Sequence, residues 1–154
     1  MPNYSMTDLK KIREETGARI IDCKKALEES DGDMAKAKEF IAEKYLSRAE
    51  KKQDRQTGQG YVASYVHNNG KIGALVQVQC ETDFVARNEE FRTMVRDLAM
   101  QVTAMNPGNV VELLEQDFIK DSNITIETYV KSVSGKIGEK MVVAKIVRFE
   151  VGVE

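Results

Sequence analysis

A chain of 154 residues with 42% apolar and 31% charged side chains can bury a core of ordinary domain size and stay in water. Its 23 basic and 25 acidic residues leave a formal net charge of −2. That balance offers no surplus of Lys and Arg for phosphate neutralisation and argues against nucleic acid as a partner. No apolar run approaches the roughly 18 residues that span a bilayer. The N-terminal MPNYSMTDLKKIREE has no secretory apolar region. The expectation is a cytoplasmic protein without membrane contact.

The first fifty residues read as three short helices. Leu9 and Ile12 mark the first, starting near Ser5 or Thr7 and ending at Thr16-Gly17. Ile20, Cys23 and Leu27, with Ala26 beside them, give the second one apolar stripe. Ser30-Asp31-Gly32-Asp33 is turn chemistry leading into a cap, after which Met34, Ala37, Ile41 and Tyr45 recur at helical steps. The stretch SRAEKKQDRQTGQG, Ser47 to Gly60, reads as a solvated helix end running into a linker. Its interrupted charges and lack of aromatics speak for a solvated face.

Tyr61 to Val66 reads as a strand and His67-Asn68-Asn69-Gly70 as a hairpin turn. The return strand sets Ile72, Ala74, Val76, Val78 and Cys80 on one face. Asp83 and Phe84 then fall at a strand-to-helix turn, where Phe84 either folds back under the next helix or stands free. Asn88 caps a helix carrying Phe91, Met94, Val95, Leu98, Ala99 and Val102, closed by Asn106-Pro107-Gly108. Val110 to Leu114 fits one helical turn, and Thr125 caps a helix expected to end at Gly135. Met141 to Val151 reads as an apolar strand that is central and largely covered. The fold expected is α+β: a helical bundle over residues 1–54, then a small antiparallel sheet packed with helices over residues 55–154.

Catalytic chemistry finds no foothold. The two GKIG tetrapeptides, at Gly70 and Gly135, lack the Ser or Thr and the preceding glycine of a phosphate loop. His67, the only histidine, and Cys80 lie at opposite ends of one strand, well over ~20 Å apart at about 3.3 Å per residue. No ligand-spaced cluster marks a metal site, and no cofactor is expected. Cys23 and Cys80 read as small buried hydrophobes.

Three stretches carry a family resemblance. TGARIIDCKKALEESDGDMAKAKEFI (Thr16 to Ile41) resembles the N-terminal module of bacterial elongation factor Ts, which folds like a ubiquitin-associated domain. GKIGALVQVQCETDFVARNEEF (Gly70 to Phe91) resembles that family's core, including its Thr-Asp-Phe-Val signature, and IVRFEVG (Ile146 to Gly152) its final core strand. The resemblance is to a short form with one core subdomain. The long helical hairpin that the family carries between Val110-Val111 and Gln116-Asp117-Phe118 has no counterpart, nor does its frequent C-terminal helical module.

The resemblance implies a non-enzymatic guanine nucleotide exchange factor for elongation factor Tu, meeting its GDP and nucleotide-free forms. Thr82, Asp83, Phe84 and Val85 would form a wedge that dislocates magnesium. Thr16, Gly17, Ala18, Arg19, Ile20, Ile21, Asp22, Cys23, Lys24 and Lys25 would form a second contact. The alternative is a binding subunit of another assembly that retains this fold. The final strand offers more apolar surface than the short helices can cover, so a homodimer is also expected.

Overall fold

The computed structural model describes residues 2–153. Helices α1 (Met6–Thr16), α2 (Ile20–Glu29) and α3 (Met34–Glu50) form the bundle. The Ser5 hydroxyl accepts the Asp8 N–H while the Asp8 carboxylate accepts the Ser5 N–H, a capping box that starts α1. Gly17 ends it at φ 67°, a left-handed conformation that a residue with a side chain adopts only under strain. Asp33 caps α3 through the Lys36 N–H. Leu9, Ile12, Cys23, Leu27, Ala37 and Ile41 close a small core between the three helices.

Strands β1 (Gln59–Val66) and β2 (Ile72–Cys80) form a hairpin, followed by the single-turn helix α4 (Asp83–Ala86) and the long helix α5 (Glu89–Met105). Then come α6 (Val110–Glu115), the paired short strands β3 (Asp117–Phe118) and β4 (Asp121–Thr125), α7 (Ile126–Ile137) and β5 (Val142–Glu150). The main sheet is antiparallel throughout, in the order β1-β2-β5. Its inner face, Ala63, Ala74, Val76 and Val78, packs on α5, which brings Phe91, Met94, Leu98 and Val102, and Val130 and Val133 of α7 belong to the same core. Each such fully buried large side chain contributes about 2 kcal/mol. The α+β architecture is as the sequence leads one to expect.

Several local expectations need correction. β5 is an edge strand, and β2 is the central one. Val147 and Phe149 on β5 are exposed, so that strand is not largely covered. Its alternation also breaks: Gln77 pairs with Lys145 and Val78 with Val143, leaving Ala144 as an extra residue. The bulge turns Val143 and Ile146 to the same packed side, which strict alternation forbids. Helix α7 does not end at Gly135 but runs on to a left-handed cap at Gly138, φ 94°. Gly135 lies instead where α7 crosses α3, and a methyl there would collide with the Tyr45 carbonyl. In α2, Ile20 leaves the apolar stripe for solvent, and Ala18 takes its place in the core.

Candidate partner-binding site

The turn after β2 is built to hold one ring in solvent. Thr82, with extended φ −123° and ψ 156°, caps α4 by accepting the Val85 N–H at its hydroxyl, 3.3 Å. Val85 and Ala86 are buried, so the back of the turn is anchored in the core. The Arg92 guanidinium donates to the Ala86 carbonyl at 2.9 Å, and the Cys80 thiol to the Thr82 carbonyl at 3.3 Å. Asp83 is exposed and pairs with Arg87 one turn on. Phe84 is 88% exposed, the most exposed large apolar side chain among the described residues. It does not fold back beneath α5, whose own Phe91 is fully buried.

Two glutamates that sequence reasoning missed hold this turn. The Glu139 carboxylate accepts the backbone N–H of Glu81 (3.1 Å) and of Thr82 (3.0 Å), and the Thr82 hydroxyl proton (2.7 Å). The Glu81 carboxylate accepts the Lys140 N–H at 2.6 Å and the Arg55 guanidinium at 3.2 Å. Glu139 lies 57 positions from Thr82, so no local spacing signals the contact.

The N-terminal segment is built differently. Thr16 donates its hydroxyl proton to the Ile12 carbonyl (2.7 Å) and accepts the Ala18 N–H (3.2 Å), which shapes the turn around Gly17. Gly17, Arg19, Ile20, Ile21, Lys24 and Lys25 are exposed, whereas Ala18, Asp22 and Cys23 are buried. Asp22 is only 2% exposed yet charged. The Tyr45 hydroxyl donates to it at 2.7 Å and the Arg19 guanidinium at 3.0 Å, with Lys44 at 3.4 Å and Arg48 at 3.5 Å. Burial pushes this carboxyl up, but the Tyr45 and Arg19 hydrogen bonds and the neighbouring cations outweigh it and hold it below 3.8. Burial, and then the adjacent Asp22, push Tyr45 up to about 12.

Lys136, near the end of α7, stands between the two segments. It pairs with Glu90 at the start of α5 (2.7 Å), and its ammonium would lie 3.7 Å from a Cβ at Gly17. The bundle turn and the Phe84 turn therefore flank the same end of α7.

The structure keeps the one histidine and Cys80 apart. Burial pushes the Cys80 thiol up to about 11, away from a nucleophilic thiolate. His67 sits in the hairpin turn beside Tyr65, while Cys80 pairs with Gln59 at the other end of the ladder. Among the described residues no group of His, Cys, Asp and Glu could hold a metal ion, and no helix is long and apolar enough to cross a membrane.

A model of the family "Elongation factor TS" matches residues 5–110 and 81–154. The elongation factor Ts of Desulforamulus reducens is 40% identical over 197 residues, covering 99% of this chain and 91% of the relative. That of Rippkaea orientalis is 38% identical, covering 99% and 80%. That of Oleidesulfovibrio alaskensis is 38% identical, covering 94% and 96%. The match to Rippkaea orientalis runs over 198 residues against a chain of 154, so that relative carries a stretch with no counterpart here. With Asp83 and Phe84 of its Thr-Asp-Phe-Val turn presented to solvent and matches over nearly its whole length, this chain belongs to the elongation factor Ts family.

Proposed function

We propose that this chain is a guanine nucleotide exchange factor for elongation factor Tu in translation elongation. The single observation that carries the reading is Phe84, 88% exposed on a turn whose two following residues are buried. A ring held out on an anchored turn loses little entropy on insertion and fills a partner's pocket. Inserted with Asp83 beside it, the ring displaces the groups that hold magnesium and the GDP phosphates. Loss of the cation leaves phosphate charge uncompensated, and the nucleotide departs. No bond is made or broken, so the factor acts by coupled binding and not as an enzyme. Linkage makes the effect mutual: GDP weakens the factor's binding by the same ratio.

Residues 1–54 serve as the second point of contact, through Gly17, Arg19, Ile20, Ile21, Lys24 and Lys25. Ala18, Asp22 and Cys23 shape that surface from below. Residues 55–154 carry the wedge, and the protein works in the cytoplasm, where its partner does. Release of labelled GDP from elongation factor Tu tests the reading. Phe84→Ala is expected to cut stimulated release about thirtyfold, equivalent to about 2 kcal/mol of lost anchor, with the melting temperature unchanged. A variant that melts far below the parent while releasing GDP normally per folded molecule would refute the wedge.

The outer face of the main sheet adds a homodimer to the reading. Ser64, Leu75 and Val147 form one cross-strand row, and Val66, Gly73 and Phe149 the next. Val62, Val66, Leu75, Val147 and Phe149 are all exposed there. A second copy buries this patch through a two-fold, self-complementary contact that uses none of the residues of the Phe84 turn. Light scattering checks it: a mass of one chain, unchanged on tenfold concentration, excludes the dimer.

A further inference from the structure

Building on the exchange reading, we infer that Glu139 is a positioning residue that holds the Thr82–Ala86 turn in its presented form. A helix of four residues cannot sustain itself, because nucleation costs more than one turn of hydrogen bonds returns. The geometry of α4 must therefore come from its attachments. Val85 and Ala86 fasten its far side to the core, but they leave its entry, Glu81 and Thr82, to be fixed from elsewhere.

Glu139 does this with both oxygens. One accepts two successive backbone N–H groups, of Glu81 and Thr82, just past the end of β2. The other accepts the only proton of the Thr82 hydroxyl. Committing that proton to Glu139 turns a lone pair of the same hydroxyl toward the Val85 N–H, which is the cap of α4. The carboxylate thus sets both the backbone entry and the rotor of the cap. Glu139 is itself held: the Ser134 hydroxyl donates to its carbonyl at 2.6 Å, and the left-handed Gly138 turns the chain out of α7 toward Glu81. Glu81 answers by accepting the Lys140 N–H, closing a two-way clasp between the end of α7 and the end of β2. Phe84 has no packing of its own to return it to place, so any looseness at Thr82 swings the ring directly.

GDP release from elongation factor Tu, read together with amide hydrogen exchange of the free factor, tests this. Glu139→Ala is expected to reduce stimulated release about tenfold and to speed exchange of the Thr82–Ala86 amides, with the α5 amides unchanged. Glu139→Gln keeps one acceptor oxygen for the two N–H groups but cannot accept the Thr82 proton, so it falls between the parent and Glu139→Ala. Combined with Phe84→Ala, Glu139→Ala is expected to reduce release by less than a further twofold, because the ring through which it acts is gone. Parental release by folded Glu139→Ala, or a full additional loss in the double variant, overturns the inference. Unchanged amide exchange at Thr82–Ala86 overturns it as well. If Phe84→Ala alone is silent, it is the wedge reading that fails and takes this one with it; the first variant that departs from expectation tells the two failures apart.

Discussion

The two segments proposed to meet the partner present similar tips on different foundations. At Thr82–Val85 the tip is one aromatic ring, and the anchors are its chain neighbours and a carboxylate that faces backbone donors. At Thr16–Lys25 the tip is a pair of isoleucines on the first turn of α2, and the anchor is a buried carboxylate that faces a phenol and three cations. An exposed apolar group needs rigidity to be worth presenting, and the comparison shows that rigidity arising from two unrelated kinds of bonding. The foundations should therefore fail under different perturbations.

The largest effect is expected from removing the charged foundation. Asp22→Ala leaves Tyr45 with a buried hydroxyl that has lost its acceptor, and three cations without their centre. A loss of about 3 kcal/mol is expected, the low end for breaking a buried pair because Arg19 and Arg48 can still reach water. Urea unfolding measures it, and a loss below about 0.5 kcal/mol would reduce the cluster to an ordinary surface ion pair.

Tyr45→Phe is expected to cost about 1–2 kcal/mol, since it removes one hydrogen bond to a charged group. It should also change the acid limb of stability. The folded carboxyl of Asp22 titrates below its unfolded value of 3.8, so its contribution is complete above that pH and is lost as pH falls through the lower folded value. Tyr45→Phe brings the folded value upward and makes that acid loss smaller. A parallel fall in both proteins below pH 3.8 would show that Asp22 is not the group responsible.

The smallest effect belongs to the tip. Ile21 is 67% exposed, so Ile21→Ala should leave stability within about 0.5 kcal/mol. Affinity for elongation factor Tu should weaken about fivefold, against the larger loss for Phe84→Ala, because a flanking contact carries less than a central aromatic anchor. Calorimetric titration separates the two, and equal losses would mean that neither segment dominates.

Local chemistry was enough to place most elements. The Ser5, Asp33, Asn88 and Thr125 caps and the His67–Gly70 hairpin mark boundaries within a residue or two, because each acts within four positions. The residues alone leave Phe84 either beneath the next helix or free, and only the family resemblance points to the free ring that the structure shows. What escaped depends on contacts distant in sequence. Asp22 is expected in the partner contact, but Tyr45 and Arg48 reach it from α3 and it lies buried. The edge position of β5 depends on which side of β2 it joins, and the bulge at Ala144 is invisible to a period of two. Gly135 looked like a helix stop because glycine commonly is one, whereas here it admits a neighbouring backbone.

That glycine has a consequence for how a partner is gripped. Tyr45 holds Asp22 with its hydroxyl while its carbonyl lies against Gly135, one residue beyond the serine that fixes the Glu139 loop. The two proposed contacts are thus the two arms of a bivalent ligand whose spacer is a packed helix crossing instead of a flexible tether. Once one arm engages, the other arrives at a high and fixed effective concentration, with no linker entropy left to lose. A bulkier residue at Gly135 would part α3 from α7 and change that spacing while leaving each arm intact. Binding would then drop toward that of a single arm, even though no residue that touches the partner had been altered.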